Sequence, residues 1–186
     1  MSDDKNLSVR DKILLTAHDL FYSTGFKATG VDKIIKQAGV TKVTFYRYFP
    51  AKSLLILAYL NYRHELWMNW FKTTLSLKLS KGETSAQALS GTLDEWFRSP
   101  HFRGCAFINA TAEAESEDIA DEIKEICRHH KYETEQNIAS LLGITDKQIT
   151  GEIMMLMDGA IIHAQMGMNT GDTIKQLKTG LERFNL

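Results

Sequence analysis

The segment Gly39–Leu54, GVTKVTFYRYFPAKSL, decides the fold. Gly39 and Val40 make a tight turn, and Thr41 offers a hydroxyl at the N-cap of a short helix over about 42–49 that ends before Pro50. Phe45 and Phe49 stand four residues apart and share the inner face of that helix. Lys42, Val43, Thr44 and Arg47 are left facing outward, with Tyr46 and Tyr48 also exposed. For the two phenylalanines, plain core packing is the expectation. A pair of exposed tyrosines flanked by cations on so short a helix needs a reason that a solvated helical face does not supply.

Upstream, Val9, Ile13, Ala17, Leu20 and Phe21 recur at helical spacing and predict a helix over about 8–24, capped by Ser8 and closed by a left-handed Gly25 followed by apolar Phe26. Thr29 is the expected cap of a second helix over about 31–38, with Val31, Ile34, Ile35 and Ala38 inward. Two short helices joined by a glycine turn and braced by a third form a helix-turn-helix, a unit that places one helix in a DNA groove.

Downstream every strong pattern is helical. Helices are expected over about 51–79, 85–98, 102–114, 118–142, 146–168 and 173–184, with Thr145 and Gln148 as a capping box and Ile119, Ile123, Ile126, His130, Asn137 and Leu141 on one stripe of the fourth. The expected fold is therefore all-α: an N-terminal three-helix helix-turn-helix domain, residues 1–52, followed by a helical ligand-binding and dimerisation domain, residues 53–186.

The composition, 44% hydrophobic and 24% charged over 186 residues with only two Pro, is that of an ordinary globular protein and excludes collagen-like, low-complexity and membrane-spanning classes. The polar, partly acidic Met1–Asn6 lacks the character of a secretory signal, and two cysteines make no disulfide scaffold, so a reducing cytoplasm is expected. The net charge of -1 hides an asymmetry: residues 1–54 carry nine Lys and Arg against five Asp, whereas the remainder carries 13 basic against 18 acidic residues. A basic head suited to a polyanion precedes an acidic body. Lys5, Lys12, Lys27, Lys33 and Lys36 add to the head's potential as solubilising charges, Lys27 being the best placed for a backbone contact.

Gly39, Val40, Thr41, Tyr46, Tyr48, Phe49 and Lys52, together with Phe21, Gly25, Phe26, Thr29, Val31 and Ile34, resemble in register the DNA-binding domain of the TetR/AcrR family of bacterial repressors, over about 8–57. Many members of that family have glycine where Val43 stands and histidine where Tyr48 stands. The resemblance implies that Tyr46, Tyr48 and Lys52 reach phosphates. Chemistry adds that Arg47 or Lys42 suits guanine O6/N7 and that Val43 and the Thr44 methyl suit a thymine methyl. The Thr29 hydroxyl and the amides opening the second helix offer a further phosphate clamp. The expected DNA-binding set is Thr29, Thr41, Lys42, Val43, Thr44, Tyr46, Arg47, Tyr48 and Lys52.

The family's body dimerises and holds a small inducer, and Arg103–Glu113, RGCAFINATAE, resembles a stretch of one of its sub-groups. The expected effector residues are Trp67, Trp96, Phe107, Asn109, Glu113, His130, Met154 and His163, from a body also rich in Trp70, Phe71, Phe97 and Phe102. Taken singly, each apolar member is more often ordinary core. A two-fold operator requires a two-fold protein, and the expected dimer seam is Ile153, Met157, Ala160, Ala164, Ile174, Leu177, Leu181 and Phe184, with Ile161 beside it.

Cys105 opens a buried stretch near Arg103, which admits a redox or electrophile sensor beside the commoner reading of a small buried hydrophobe. Cys127, His129 and His130 lack metal-ligand spacing, and no phosphate loop or nucleophile elbow occurs, so no metal, cofactor or enzymatic activity is expected. The expected function is a ligand-responsive DNA-binding regulator, a homodimeric repressor released from an inverted-repeat operator by a small apolar effector. The rival is a helical ligand-binding or thiol-sensing protein without sequence-specific DNA binding.

Overall fold

The computed structural model describes residues 7–114 and 118–185; Met1–Asn6, with Lys5, lies outside them. Among the described residues every regular element is a helix: α1 Val9–Thr24, α2 Val31–Ala38, α3 Lys42–Tyr48, α4 Lys52–Ser80, α5 Ser85–Phe97, α6 Ala106–Ala114, α7 Ala120–Leu142, α8 Lys147–Gln165 and α9 Thr170–Glu182. None of them is long and apolar enough to cross a membrane. The chain packs as two units, one of Met1–His64 with Ala106–Cys127, the other of Glu65–Cys105 with Arg128–Leu186. Packing thus groups α6 and the start of α7 with the helix-turn-helix, although sequence places them 50 residues and more beyond it.

In the first unit, the Ser8 hydroxyl caps α1 by accepting from the Asp11 amide, and Ile13, Leu14, Ala17, Leu20 and Phe21 are buried. Val9, expected on the inner stripe, is exposed, because the buried arc is centred on Ala17 and Leu14 takes its place. Gly25 closes α1 through its N–H to the Phe21 carbonyl, with φ 82 and ψ 156, a positive φ with extended ψ rather than the expected left-handed helical pair. Gly30, not Thr29, is the N-cap of α2, and no side chain caps that helix. Thr29 turns inward instead: its hydroxyl donates to the Gly25 carbonyl (2.8 Å) and lies 3.0 Å from the Thr24 hydroxyl. Gly39 is left-handed (φ 66, ψ 35), and the Val40 amide reaches back to the Ile35 carbonyl, the hydrogen-bonded turn that a glycine permits. Thr41 then caps α3 by accepting from the Thr44 amide. Phe45 and Phe49 are buried with Ile34, fixing α3 against the unit's core.

In the second unit, Thr84 and Gln87 form a capping box that starts α5, which packs on α8 and α9, themselves neighbours. Its core includes Phe71, Leu75, Leu89, Leu93, Ile153, Met157, Leu177 and Leu181. Three boundaries differ from expectation, two because a side-chain oxygen captures a first-turn amide and one because a glycine turn closes the helix early. Asp146, not Thr145, caps α8, its carboxylate accepting from the Gln148 amide. The helix stops at Gln165, short of Met168, and the Met168 amide bonds back to the His163 carbonyl across Gly167 at φ 80. Asn169 caps α9 through the Asp172 amide, so α9 begins at Thr170 rather than near Thr173. On α7 the buried stripe runs Ile123, Cys127, His130, Thr134 and Ile138, leaving the expected Ile126, Asn137 and Leu141 half-buried on its flank.

Candidate nucleic-acid interface and effector region

The outward face of α3 combines apolar exposure with positive charge. Val43 is 82% exposed, an aliphatic side chain held in solvent, while Phe45 two residues on is at 0%. Tyr46 and Tyr48 are exposed on either side of Arg47, and Arg47 makes no ion pair among the described residues. Lys42 stands 3.8 Å from Asp32, but both groups are mostly in water, so that pair adds little and leaves the lysine available. Thr44 is half-buried, its hydroxyl 2.8 Å from that of Thr41, so both hydroxyls belong to the cap. Lys52 begins α4 half-buried. Thr29 departs from the expected set: at 0% exposure, with its hydroxyl given to Gly25, it offers no group to a phosphate. The uncapped start of α2, whose first amides no side chain satisfies, remains the anion-seeking feature there.

The expected effector residues divide between the two units. In the second unit Trp67, Trp96 and His130 are buried in mutual contact, Trp67 meeting Trp96 at 5.8 Å and His130 at 5.2 Å, both edge to face. Met154 is buried in the same unit and His163 half-buried there. Phe107, Asn109 and Glu113 lie on α6 in the first unit. Phe107 is core, its ring against His64 and its carbonyl accepting from the Cys127 thiol at 3.3 Å. Glu113 corrects the expectation most clearly: its carboxylate accepts the Lys27 amide at 2.9 Å and fills the space a Cβ on Gly25 would occupy, 2.7 Å away. A side chain read as a ligand contact is thus a latch between α6 and the α1–α2 turn. Glycine at position 25 was the available signal, because only a residue without Cβ admits that approach.

Most of the expected dimer seam is occupied within the single chain. Ile153, Met157, Ala160, Leu177 and Leu181 are buried inside one chain, where α8 and α9 meet each other and α5, and Ala164, Ile174 and Phe184 are half-buried beside them. What α8 and its C-cap Met166 expose instead is Met155 (69%), Leu156, Gly159 and Met166 itself, with Ile162 half-buried. Positions 155, 159, 162 and 166 are spaced four, three and four, one stripe on the side away from the core. Sequence periodicity missed it because α8 is apolar on both sides.

A family model described as "Bacterial regulatory proteins, tetR family" matches residues 13–59, from within α1 through α2 and α3 into the start of α4. An HTH-type transcriptional regulator from the lacX 3' region of Lactococcus lactis subsp. lactis is 27% identical over 148 residues, covering 76% of this chain and 74% of the relative. The HTH-type transcriptional regulator YuxN of Bacillus subtilis is 28% identical over 89% of this chain, which spans only 57% of YuxN's length. Among solved structures, SCO4454, a TetR-family transcriptional regulator from Streptomyces coelicolor, superposes with a TM-score of 0.78 at 28% identity, covering 94% of this chain and 86% of the other. Residues 13–59 match the TetR family's model, and nearly the whole chain is similar in sequence and fold to a TetR-family transcriptional regulator.

Proposed function

We propose that this regulator is a homodimeric repressor, acting in the cytoplasm, that holds an inverted-repeat operator and releases it when a small, largely apolar effector binds its helical body. The observation that carries DNA reading is the exposed α3 face, where Val43 and Arg47 are both presented to solvent by a helix anchored through buried Phe45. Arg47 reads guanine and Val43 a thymine methyl, whereas Tyr46, Tyr48, Lys42, Lys52 and the open amides of α2 hold phosphates. A symmetric operator places half-sites about one helical turn, roughly 34 Å, apart, so two copies of the chain must pair. The uncharged stripe Met155, Gly159, Ile162 and Met166 fits that pairing, because a second copy presents the same stripe across a two-fold axis.

Release follows as a population shift: the effector favours a dimer whose recognition helices no longer match successive major grooves. The Glu113 latch gives α6 a direct hold on the helix-turn-helix, through the turn that orients α1 and α2. Linkage requires effector and operator to weaken each other's binding by the same factor, which titrations in both orders check. The deciding experiment is selection from a random duplex library at near-physiological salt, where phosphate binding alone is suppressed. An enriched inverted repeat supports the reading; a folded dimer that enriches nothing removes it.

One observation favours a second, thiol-based reading. Buried Cys105 hydrogen-bonds with Lys131, which also pairs with Asp158. Burial opposes the lysine's charge, yet Cys105 and Asp158 outweigh it and hold the ammonium above the usual lysine value. Labelling of Cys105 by a thiol reagent at graded pH, with operator release as the readout, separates this reading from the first.

A further inference from the structure

The aromatic cluster of the second unit contains a buried donor that no acceptor among the described residues meets. Trp67 is 8% exposed and stacks on Phe71 with ring centroids 4.6 Å apart and planes 11° from parallel, while Trp96 and His130 close on it edge to face. Its indole Nε1 is buried and meets no acceptor among the described residues. A buried indole N–H ordinarily finds a partner, and leaving one unmade costs the desolvation of that group. Phenylalanine would supply the same stacking face without that cost, so packing alone gives no account of an indole here. Trp70, half-buried, lies 6.3 Å from Trp67 and 6.4 Å from Trp96, so the cluster reaches the surface of the unit through this ring.

We propose that Trp67 is the hydrogen-bond donor of the effector site, and that the effector is a flat aromatic molecule carrying a carbonyl-type oxygen. The proposal rests on the reading that the helical body binds an effector, and it names that effector's chemistry. The faces and edges of Trp67, Trp96 and His130 accept an aromatic plane in offset or edge-to-face contact. The indole N–H demands an acceptor, and once the site is closed from water an analogue lacking that oxygen leaves the donor unpaired.

The test uses the full-length chain and two probes of the same shape, 1-indanone and indane, which differ in one carbonyl. Trp67, Trp70 and Trp96 are the chain's three tryptophans, so its tryptophan fluorescence reports on this cluster alone. Saturable quenching with indanone about tenfold tighter than indane is expected, together with collapse of that preference to about onefold in Trp67→Phe. Trp70→Phe, which keeps the donor, retains the preference. The thermal midpoint of the native chain rises more with indanone than with indane, a comparison that needs no variant to fold. Equal binding of the two probes by the native chain, or a preference that survives Trp67→Phe, overturns the donor assignment while leaving an effector site in place. Absence of saturable binding by either probe up to millimolar concentration overturns both this inference and the placement of the effector among these rings.

Discussion

Helices α3 and α8 both expose apolar side chains, and what surrounds each exposure separates their meanings. On α3 the exposed Val43 stands among Lys42, Tyr46, Arg47 and Tyr48, so an apolar contact is offered together with cations and phenolic hydroxyls. On α8 and its C-cap the stripe of Met155, Gly159 and Met166 carries no charge. The first mixture suits a grooved polyanion with methyl groups on its floor; the second suits another copy of the same surface. Exposure alone marks both helices as unfinished, and the chemistry of the neighbouring side chains names what completes them.

The sharpest way to break the comparison lies within α3. Phe45→Ala empties a fully buried position and is expected to cost about 3–5 kcal/mol in denaturant unfolding, whereas Val43→Ala changes stability by less than about 0.5 kcal/mol and weakens only operator binding. A stability loss at Val43 comparable to that at Phe45 would mean that Val43 is core and the helix has been assigned the wrong face.

Next in size is the test of the pairing surface proposed on α8. If two copies pair through this surface, Met155→Glu places an unpaired charge in the contact, a penalty of about 3–5 kcal/mol on association, with little effect on the folding of the single chain. Sedimentation should show monomers with unchanged helical content. Leu177→Glu, in contrast, attacks a side chain buried inside the chain and should unfold it. If Leu177 instead behaved as an interface residue and Met155 as a neutral one, the originally expected seam would be restored.

Base reading and phosphate holding are separated by a smaller pair of effects. Arg47→Ala should cost about 1–3 kcal/mol at one base position and relax preference there, while Lys52→Ala weakens binding to every sequence and flattens the salt slope by about one unit. Sequence-blind losses from both would remove Arg47 from base contact.

How much of this was legible in sequence follows from the same two helices. α3 is seven residues long and carries its turn, its cap and both faces in distinct residue types, so its core and its outer face separate on reading. α8 is apolar on opposite sides: positions 153, 157, 160 and 164 compete with 155, 159, 162 and 166, and only contact with α5 and α9 decides which set is covered. Thr29 and Glu113 failed for a related reason. A hydroxyl or carboxylate in an apolar context announces that it needs a partner, but the partner's identity is tertiary: Gly25 serves Thr29, and the Lys27 amide, 86 residues away, serves Glu113. The cluster around Trp67 was legible as aromatic residues at helical spacing, and its unpaired nitrogen was not.

The latch admits a test of about 1–2 kcal/mol. Gly25→Ala strains a backbone at φ 82 and drives a Cβ into the Glu113 carboxylate, so it should destabilise the native chain by more than the backbone term alone. In a Glu113→Ala background the clash is absent and only the backbone term is left. The two substitutions should therefore be less harmful together than their sum, a coupling that a double-mutant cycle measures directly. Strict additivity would detach α6 from the turn and leave the helix-turn-helix without this connection.

The smallest effect concerns pH and lies between α1 and α4. His18 on α1 is surrounded by the rings of Tyr22, Tyr59 and Tyr62, with Asp19 3.0 Å from its Nδ1 and Arg63 seated over Tyr22. Burial lowers its pKa below 6.5 and the Arg63 charge lowers it further, while Asp19 raises it by less than the two together remove. The folded chain therefore keeps the imidazole neutral in a range where the unfolded chain protonates it. The unfolded state binds more protons there, so stability is full above pH 6.5 and declines as pH falls toward the folded value. His18→Phe removes the titrating group while keeping an aromatic ring in the cluster. Comparing urea midpoints of the native chain and this variant at pH 7.5 and 5.5 isolates the contribution from the other five histidines, and the native chain should lose more on acidification. An equal loss in both would place the acid sensitivity elsewhere, and a smaller loss in the native chain would reverse the sign and require that Asp19 dominates over burial.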